Sequence, residues 1–315
     1  METQWILRTS GDPLATVQKF LHSIWMRGGL TGMLVPFRNP KTSDITLLLA
    51  QESGHFDNVD PFAPVMIGNA AEMVAELACQ HSHDHYGAVL RPCDARALFS
   101  IAKRESFQLD NFLVIGVDCL ATYPVDEYEW RARKWGGAEH LTHAALQFAR
   151  QGGILAYRNR PACQMCTSPM PDAVDVSIGV LGLPTRQYIL VTARNAVVAG
   201  KLQWDEITNG IAPRAVIAQH DQMRRILAER RTRVRERMIR TLPVGLPSDA
   251  NGLAEHLANC APCQACLDAC PIYVDELATG GSGGVSRDAV TRWLASCAGC
   301  GLCEDACPKH LPLTA

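Results

Sequence analysis

The sequence predicts an α/β (α+β) core domain built on a mixed sheet, followed by a small cysteine-rich module. Three observations lead there. Helical and buried-strand patterns alternate along the first 120 or so residues, a strand-rich stretch runs from Val176 to Val198, and cysteines crowd the end of the chain beyond a proline-marked linker. At 315 residues there is room for one sizeable core and a second small unit, here taken as 1–245 and 246–315.

Each element has a local reason. Leu14, Val17, Leu21, Ile24 and Trp25 recur at helical spacing over residues 13–27, and Gly28-Gly29 ends that helix. Short strands are predicted at Thr31–Val35 and Ile45–Leu49, then a helix over 70–80. Tyr86–Leu90 and Phe112–Val117 are continuous apolar runs of the kind buried in a parallel sheet, with a helix between them reaching Lys103. Strands between Val176 and Val198, with no helix between them, suggest a second layer. An arginine-studded helix is predicted from His220 to Arg240, most simply solvent-facing, with recognition of an acidic group as the sharper reading. Gly136-Gly137 and Gly152-Gly153 read as turns, His81-Ser82-His83-Asp84-His85 as a polar surface loop, and Gly280–Gly284 as a flexible insertion.

Composition narrows the function. A hydrophobic fraction of 47%, 20% charged residues and a net charge of −2 describe an ordinary globular chain and argue against a nucleic-acid binder. No basic leader precedes an apolar run at Met1-Glu2-Thr3-Gln4-Trp5, and no apolar stretch approaches the roughly 18 residues of a membrane span. The expected location is the cytoplasm, where the thirteen cysteines would be thiols available for metal ligation.

The strongest pattern closes the chain. Cys260-x2-Cys263-x2-Cys266-x3-Cys270-Pro271 is repeated as Cys297-x2-Cys300-x2-Cys303-x3-Cys307-Pro308. This is the cysteine run of the two-cluster bacterial ferredoxins, in which three closely spaced cysteines wrap one [4Fe–4S] cube and the fourth ligates the other. Cys260, Cys263, Cys266 and Cys307 are therefore assigned to one cluster, and Cys297, Cys300, Cys303 and Cys270 to the second. The fourth cysteine of each run is expected to start a short helix. Paired zinc sites would have no use for the repeated third cysteine and Cys-Pro ending. One-electron transfer is the chemistry implied.

Four further cysteines form a second constellation. Cys93 and Cys119 each follow a predicted buried strand, at the sheet edge where ligands gather, and Cys163-x2-Cys166 follows a predicted strand at 154–158. Spacing alone leaves open a third cluster or, for Cys93 and Cys119, small buried core residues. Cys79 reads as a core residue.

The stretch Leu90-Arg-Pro-Cys-Asp-Ala-Arg-Ala-Leu98, with Ile101–Arg104 and Leu109–Cys119, resembles the β subunits of coenzyme F420-dependent hydrogenases and formate dehydrogenases. So do Arg160-Pro-Ala-Cys-Gln-Met-Cys166, Pro171, Asp175–Gly182, Cys300–Pro308 and Leu311–Leu313, so that the likeness spans about 85–315. The resemblance implies a third [4Fe–4S] cluster on Cys93, Cys119, Cys163 and Cys166. It also implies an FAD that splits hydride pairs from F420 into single electrons, and a catalytic dehydrogenase or hydrogenase subunit as partner. With no G-x-G-x-x-G present, the loop Arg91, Pro92, Asp94, Arg96 at a helix start is the candidate pyrophosphate site. Flavin-binding members of the family carry a double glycine before a threonine or serine near the first helix, whereas Ser10–Thr16 has only Gly11. This departure leaves open a flavin-free relay to a heterodisulfide-reductase-like complex.

Overall fold

A computed structural model describes residues 3–42, 44–80, 84–153, 158–241, 249, 251–252, 255–256, 263, 265–273, 287–309, 311 and 313–314. Cys260, His81–His83, the expected strand at 154–157, most of the 242–250 linker and the 280–284 insertion lie outside these residues.

One seven-stranded mixed sheet organises the chain. In chain order the strands are β1 (Thr3–Arg8), β2 (Gly32–Arg38), β3 (Ile45–Ala50), β4 (Tyr86–Leu90), β5 (Phe112–Val117), β6 (Val176–Gly179) and β7 (Tyr188–Ala193). Their spatial order is β1-β7-β6-β5-β4-β2-β3. The central four, β6, β5, β4 and β2, are parallel, and antiparallel neighbours close both edges. Among the described residues twelve α-helices accompany them, of which the first is α1 (Pro13–Gly28). Asp12 caps it by accepting from the Ala15 N–H, Pro13 starts it where a missing N–H costs nothing, and Gly29 ends it at φ 59°.

Alternation along the parallel strands sends side chains to two cores. Met33, Val35, Val89, Ile115 and Val117 meet α1 and α5 (Ala138–Gln147) on one face. Leu34, Ala88, Leu90, Phe112 and Val114 meet α2 (Ala71–Gln80) and α3 (Pro92–Glu105) on the other. Between α3 and α5 lies α4 (Val125–Lys134), and α6 (Pro161–Met165) precedes β6. After β7 come α7 (Ala196–Lys201), α8 (Trp204–Ile207) and α9 (Arg214–Arg240). The C-terminal segment contributes α10 (Ala265–Asp268), α11 (Arg287–Ala295) and α12 (Leu302–Ala306). Its Leu267, Ile272, Val290, Trp293 and Ala298 join the α2–α3 core, so this segment is packed onto the sheet's helical layer.

Several expectations are corrected. The strands after Val176 form no second layer. Val176, Ile178, Ile189 and Val191 bury against the same core as Ile115 and Val117, which is satisfied by extending the same sheet. Strand β1 and helices α4 and α5 were not predicted. Helix α9 starts at Arg214, six residues before the predicted start, because Pro213 sits at its N-cap and Val216 is already buried. Cys79 is exposed, since α2 turns that side away from the sheet. No described helix is long and apolar enough to cross a membrane.

Asp60 ties the loop after β3 to α5. Its N–H donates to Pro36 O at 2.8 Å, and its Oδ2 accepts from Thr142 Oγ1 at 2.7 Å. Burial pushes its pKa up from 3.8 to about 6, although Thr142, Arg38 and Arg91 pull the other way. The folded protein therefore holds this proton more tightly than the unfolded chain, so stability falls as pH rises through 3.8 to about 6 and stays at the lower level above that. An Asp60→Asn variant escapes the cost. Thermal unfolding compared between about pH 5 and about pH 7 is expected to show the variant gaining on the wild type, by about 1 kcal/mol over that interval.

Candidate metal-cluster site

The ends of the parallel strands bring distant cysteines to one cavity. Cys93 lies in the first turn of α3 just past β4, and Cys119 follows β5 by two residues. Cys163 lies on α6 and Cys166 caps its end. All four line the same small cavity, together with Met66, Arg91, Thr122, Arg231 and, from the C-terminal segment, Gly299 and Cys300. Cys119 is fixed by its N–H to Pro169 O at 2.7 Å, and Cys163 Sγ lies 3.3 Å from Thr122 Oγ1.

Asp118 holds this edge in shape. Its Oδ2 accepts from the N–H groups of Val180 and Leu181, at 2.8 and 2.9 Å, and meets His220 Nε2 at 2.8 Å. Burial opposes a charge on His220, but the Asp118 carboxylate outweighs it, and His220 titrates above the usual range. The contact docks α9 across the ends of β5 and β6. Further along α9, the buried Arg231 reaches Cys166 O at 3.0 Å.

The loop predicted to hold a pyrophosphate serves the cavity wall. Arg91 is buried and donates from Nη2 to Ala63 O and Val65 O, at 3.0 and 2.6 Å, while Asp94 accepts from the Arg91 N–H at 3.1 Å. Arg96 donates to Ala298 O at 3.1 and 2.8 Å and to Ser168 O at 3.1 Å. Pro92 occupies the start of α3 and lines the cavity beside Cys93. Both guanidinium groups are engaged with main-chain carbonyls, and Arg96 also lines a neighbouring cavity with Thr167, Ser168 and Arg235. Sequence reasoning missed Arg160 and Arg231. Arg160 is 1% exposed, and its Nε lies 2.6 Å from Asp305 Oδ2 on α12.

A second cavity adjoins the first. It is lined by Cys270, Cys297, Cys300 and Cys303, the set assigned together from spacing, and Cys300 forms part of both walls. Trp293 Nε1 donates to Cys270 Sγ at 3.1 Å, and the Gly299 N–H points at Cys297 Sγ at 3.4 Å. Of the other set, Cys266 is on α10 and Cys307 ends α12, two helices that pack on each other, while Cys263 is exposed. The short helices hold the third cysteine of each run and stop before the fourth, contrary to the expectation that the fourth would start them.

The thiols of Cys93, Cys119 and Cys300 are hard to ionise as they stand. Burial, then neighbouring negative charge, pushes Cys93 well up and Cys119 up to about 11, and burial likewise raises Cys300 to about 11. Thiolates here need a cationic core to balance them. Among the described residues no three of His, Cys, Asp and Glu stand close enough to share one metal ion. Thiolates on one zinc would be only about 3.8 Å apart, whereas those on a four-iron cube each bind a different iron and stand further apart. The donor set, cysteine sulfurs converging on each cavity, fits the ligands such a cube takes.

Comparison with known proteins agrees with this architecture. Residues 83–207 match the family described as the C terminus of the coenzyme F420 hydrogenase/dehydrogenase beta subunit. Over that span the chain is similar to this beta-subunit family. The matched region runs from just before β4 to the end of α8 and includes Cys93, Cys119, Cys163 and Cys166, but not the C-terminal cysteine runs. No curated protein matches the chain. Among solved structures, a chain of the F420-reducing [NiFe] hydrogenase complex from Methanosarcina barkeri is similar, with a TM-score of 0.53 at 10% identity, covering 75% of this chain and 91% of that one. That likeness is one of fold, and it extends beyond the region matched by the family.

Gly301 sets how closely the C-terminal segment approaches the sheet domain. It lies at φ 73°, and a Cβ there would come within 2.3 Å of Ala162 Cβ. Gly301→Ala is expected to destabilise by about 1–3 kcal/mol and to speed proteolysis after residue 240. Adding Ala162→Gly should recover part of the loss, and a double-mutant cycle by thermal unfolding measures it. Strictly additive effects would contradict the contact.

Proposed function

We propose that the chain is an iron–sulfur electron-transfer subunit of an F420 hydrogenase/dehydrogenase-type complex, with three [4Fe–4S] clusters and the site of substrate oxidation on a partner. One cluster would be held by Cys93, Cys119, Cys163 and Cys166, and the two others by the ferredoxin-like segment beyond residue 245. One observation carries this reading. Cysteines from separate segments share a cavity whose wall contains buried arginines, and among the described residues Arg91 and Arg231 form no ion pair with a carboxylate. Burying a guanidinium costs several kcal/mol unless negative charge or good hydrogen bonds compensate it. Carbonyls meet part of that cost, and a thiolate-ligated cluster of net negative charge would meet the rest.

When bound, such clusters supply one-electron storage. The residues position them and open a route outward. Cys300 borders both cavities, and Cys297, lining the outer one, is exposed. This arrangement supports a path from the sheet edge to a docking partner at the surface. The partner class inferred from the family is a catalytic hydrogenase or dehydrogenase subunit.

The engagement of Arg91 and Arg96 with main-chain carbonyls favours a relay in which loop 91–96 serves the cysteines and no pyrophosphate. Anaerobic purification followed by iron and flavin assays tests the proposal. About twelve irons per chain are expected, falling to about eight in a Cys163→Ala, Cys166→Ala variant. Eight irons in the unmodified protein would eliminate the third cluster, and zinc in place of iron would overturn the reading. One flavin per chain would restore the hydride-splitting role, with its pyrophosphate held outside loop 91–96.

A further inference from the structure

Arg160 is placed between the two cavities. It caps α6, three residues before Cys163, and its own N–H donates to Thr122 O at 3.0 Å, the residue whose hydroxyl meets Cys163 Sγ. Its Nη1 lies 3.3 Å from Met66 Sδ, which lines the inner cavity. A Cβ on Gly301, which lines the outer cavity, would stand 3.4 Å from its Nη2. Nε pairs with Asp305 on α12, but Nη2 is buried without a protein partner among the described residues. Cys163, Cys93 and Cys300 all lie within its electrostatic reach.

A buried guanidinium needs a partner for each of its faces. Asp305 satisfies one, and the group left over stands beside Gly301 in the wall of the outer cavity, with Met66 of the inner cavity at the neighbouring nitrogen. Resting on the three-cluster reading above, we propose that Arg160 is a positioning residue that raises the reduction potentials of both adjacent clusters together, so that neither becomes a trap for the electron. Adding an electron makes a cluster more negative, and a fixed cation nearby favours that state. Net charge and hydrogen bonds to the sulfurs are the main levers on such potentials. Asp305 is the counterweight, since its carboxylate offsets part of the field that Arg160 projects.

The opposed signs give the test. The full chain and its Arg160→Gln, Arg160→Lys and Asp305→Asn variants would be purified anaerobically, assayed for iron, and titrated redox-potentiometrically with electron paramagnetic resonance detection. Arg160→Gln is expected to lower the reduced-to-oxidised ratio at a fixed poise about tenfold in both centres, or about 59 mV for one electron. Arg160→Lys should stay within about threefold of wild type, and Asp305→Asn should move both potentials upward. A residue that merely clamps the segment in place would shift neither in a charge-dependent sense. Iron-replete Arg160→Gln or Asp305→Asn protein with unchanged potentials, or shifts of the same sign in both, would overturn the inference. If Arg160→Gln loses its iron, the Lys and Asp305→Asn variants decide it alone. Wild-type protein without iron would remove the clusters themselves, a failure distinguishable from that of the Arg160 argument.

Discussion

The cysteine site depends on what Asp118 does at the end of β5. A carboxylate with three donors on one oxygen is a fixed point, and these donors come from the turn after β6 and from α9. The adjacent residue is Cys119. Whatever holds Asp118 still holds Cys119 still, and the same contact lays α9 over the sheet edge so that Arg231 reaches Cys166. A charge-assisted network of this kind is worth more than its separate hydrogen bonds in a buried setting. The sheet supplies the platform, and Asp118 joins that platform to the helix and loop completing the cavity.

Much of this was legible in the residues. The buried runs Tyr86–Leu90 and Phe112–Val117 could be read as parallel strands because both faces had to be covered, and Cys93 and Cys119 followed at the edge where such sheets bind ligands. The grouping of Cys270 with Cys297, Cys300 and Cys303 followed from spacing alone, and those four share a cavity. Other features had no local signature. Strand β1 pairs with β7 across nearly the whole domain, and a single six-residue alternation carries little of that information. Arg160 and Arg231 look like any surface arginine in sequence. Their burial arises only when α6, α9 and α12 come together. The arginines at 91 and 96 were visible, but their acceptors, carbonyls of residues 63, 65, 168 and 298, were not.

The C-terminal segment is more deeply joined to the sheet than its ferredoxin-like spacing suggests. Its apolar residues share a core with α2 and α3, Arg104 donates to Ile272 O at 2.7 Å, and Arg96 holds Ala298 O with two nitrogens. Thr314 returns to Glu304 with both its N–H and its hydroxyl, at 2.6 Å each. The arginine contacts end on main-chain acceptors, so they fix the position of the backbone rather than of long, adaptable side chains.

The shared wall at Gly299 and Cys300 has a consequence for assembly. A ribosome delivers Cys93, Cys119, Cys163 and Cys166 well before the residues that close their cavity exist. Until residues 299 and 300 have emerged and folded back, the inner cavity stands open on one side, and its thiols are accessible to solvent and to oxygen. Arrival of the tail then seals it. The order of synthesis thus gives the inner cavity an open interval that ends when residues 299 and 300 fold onto it.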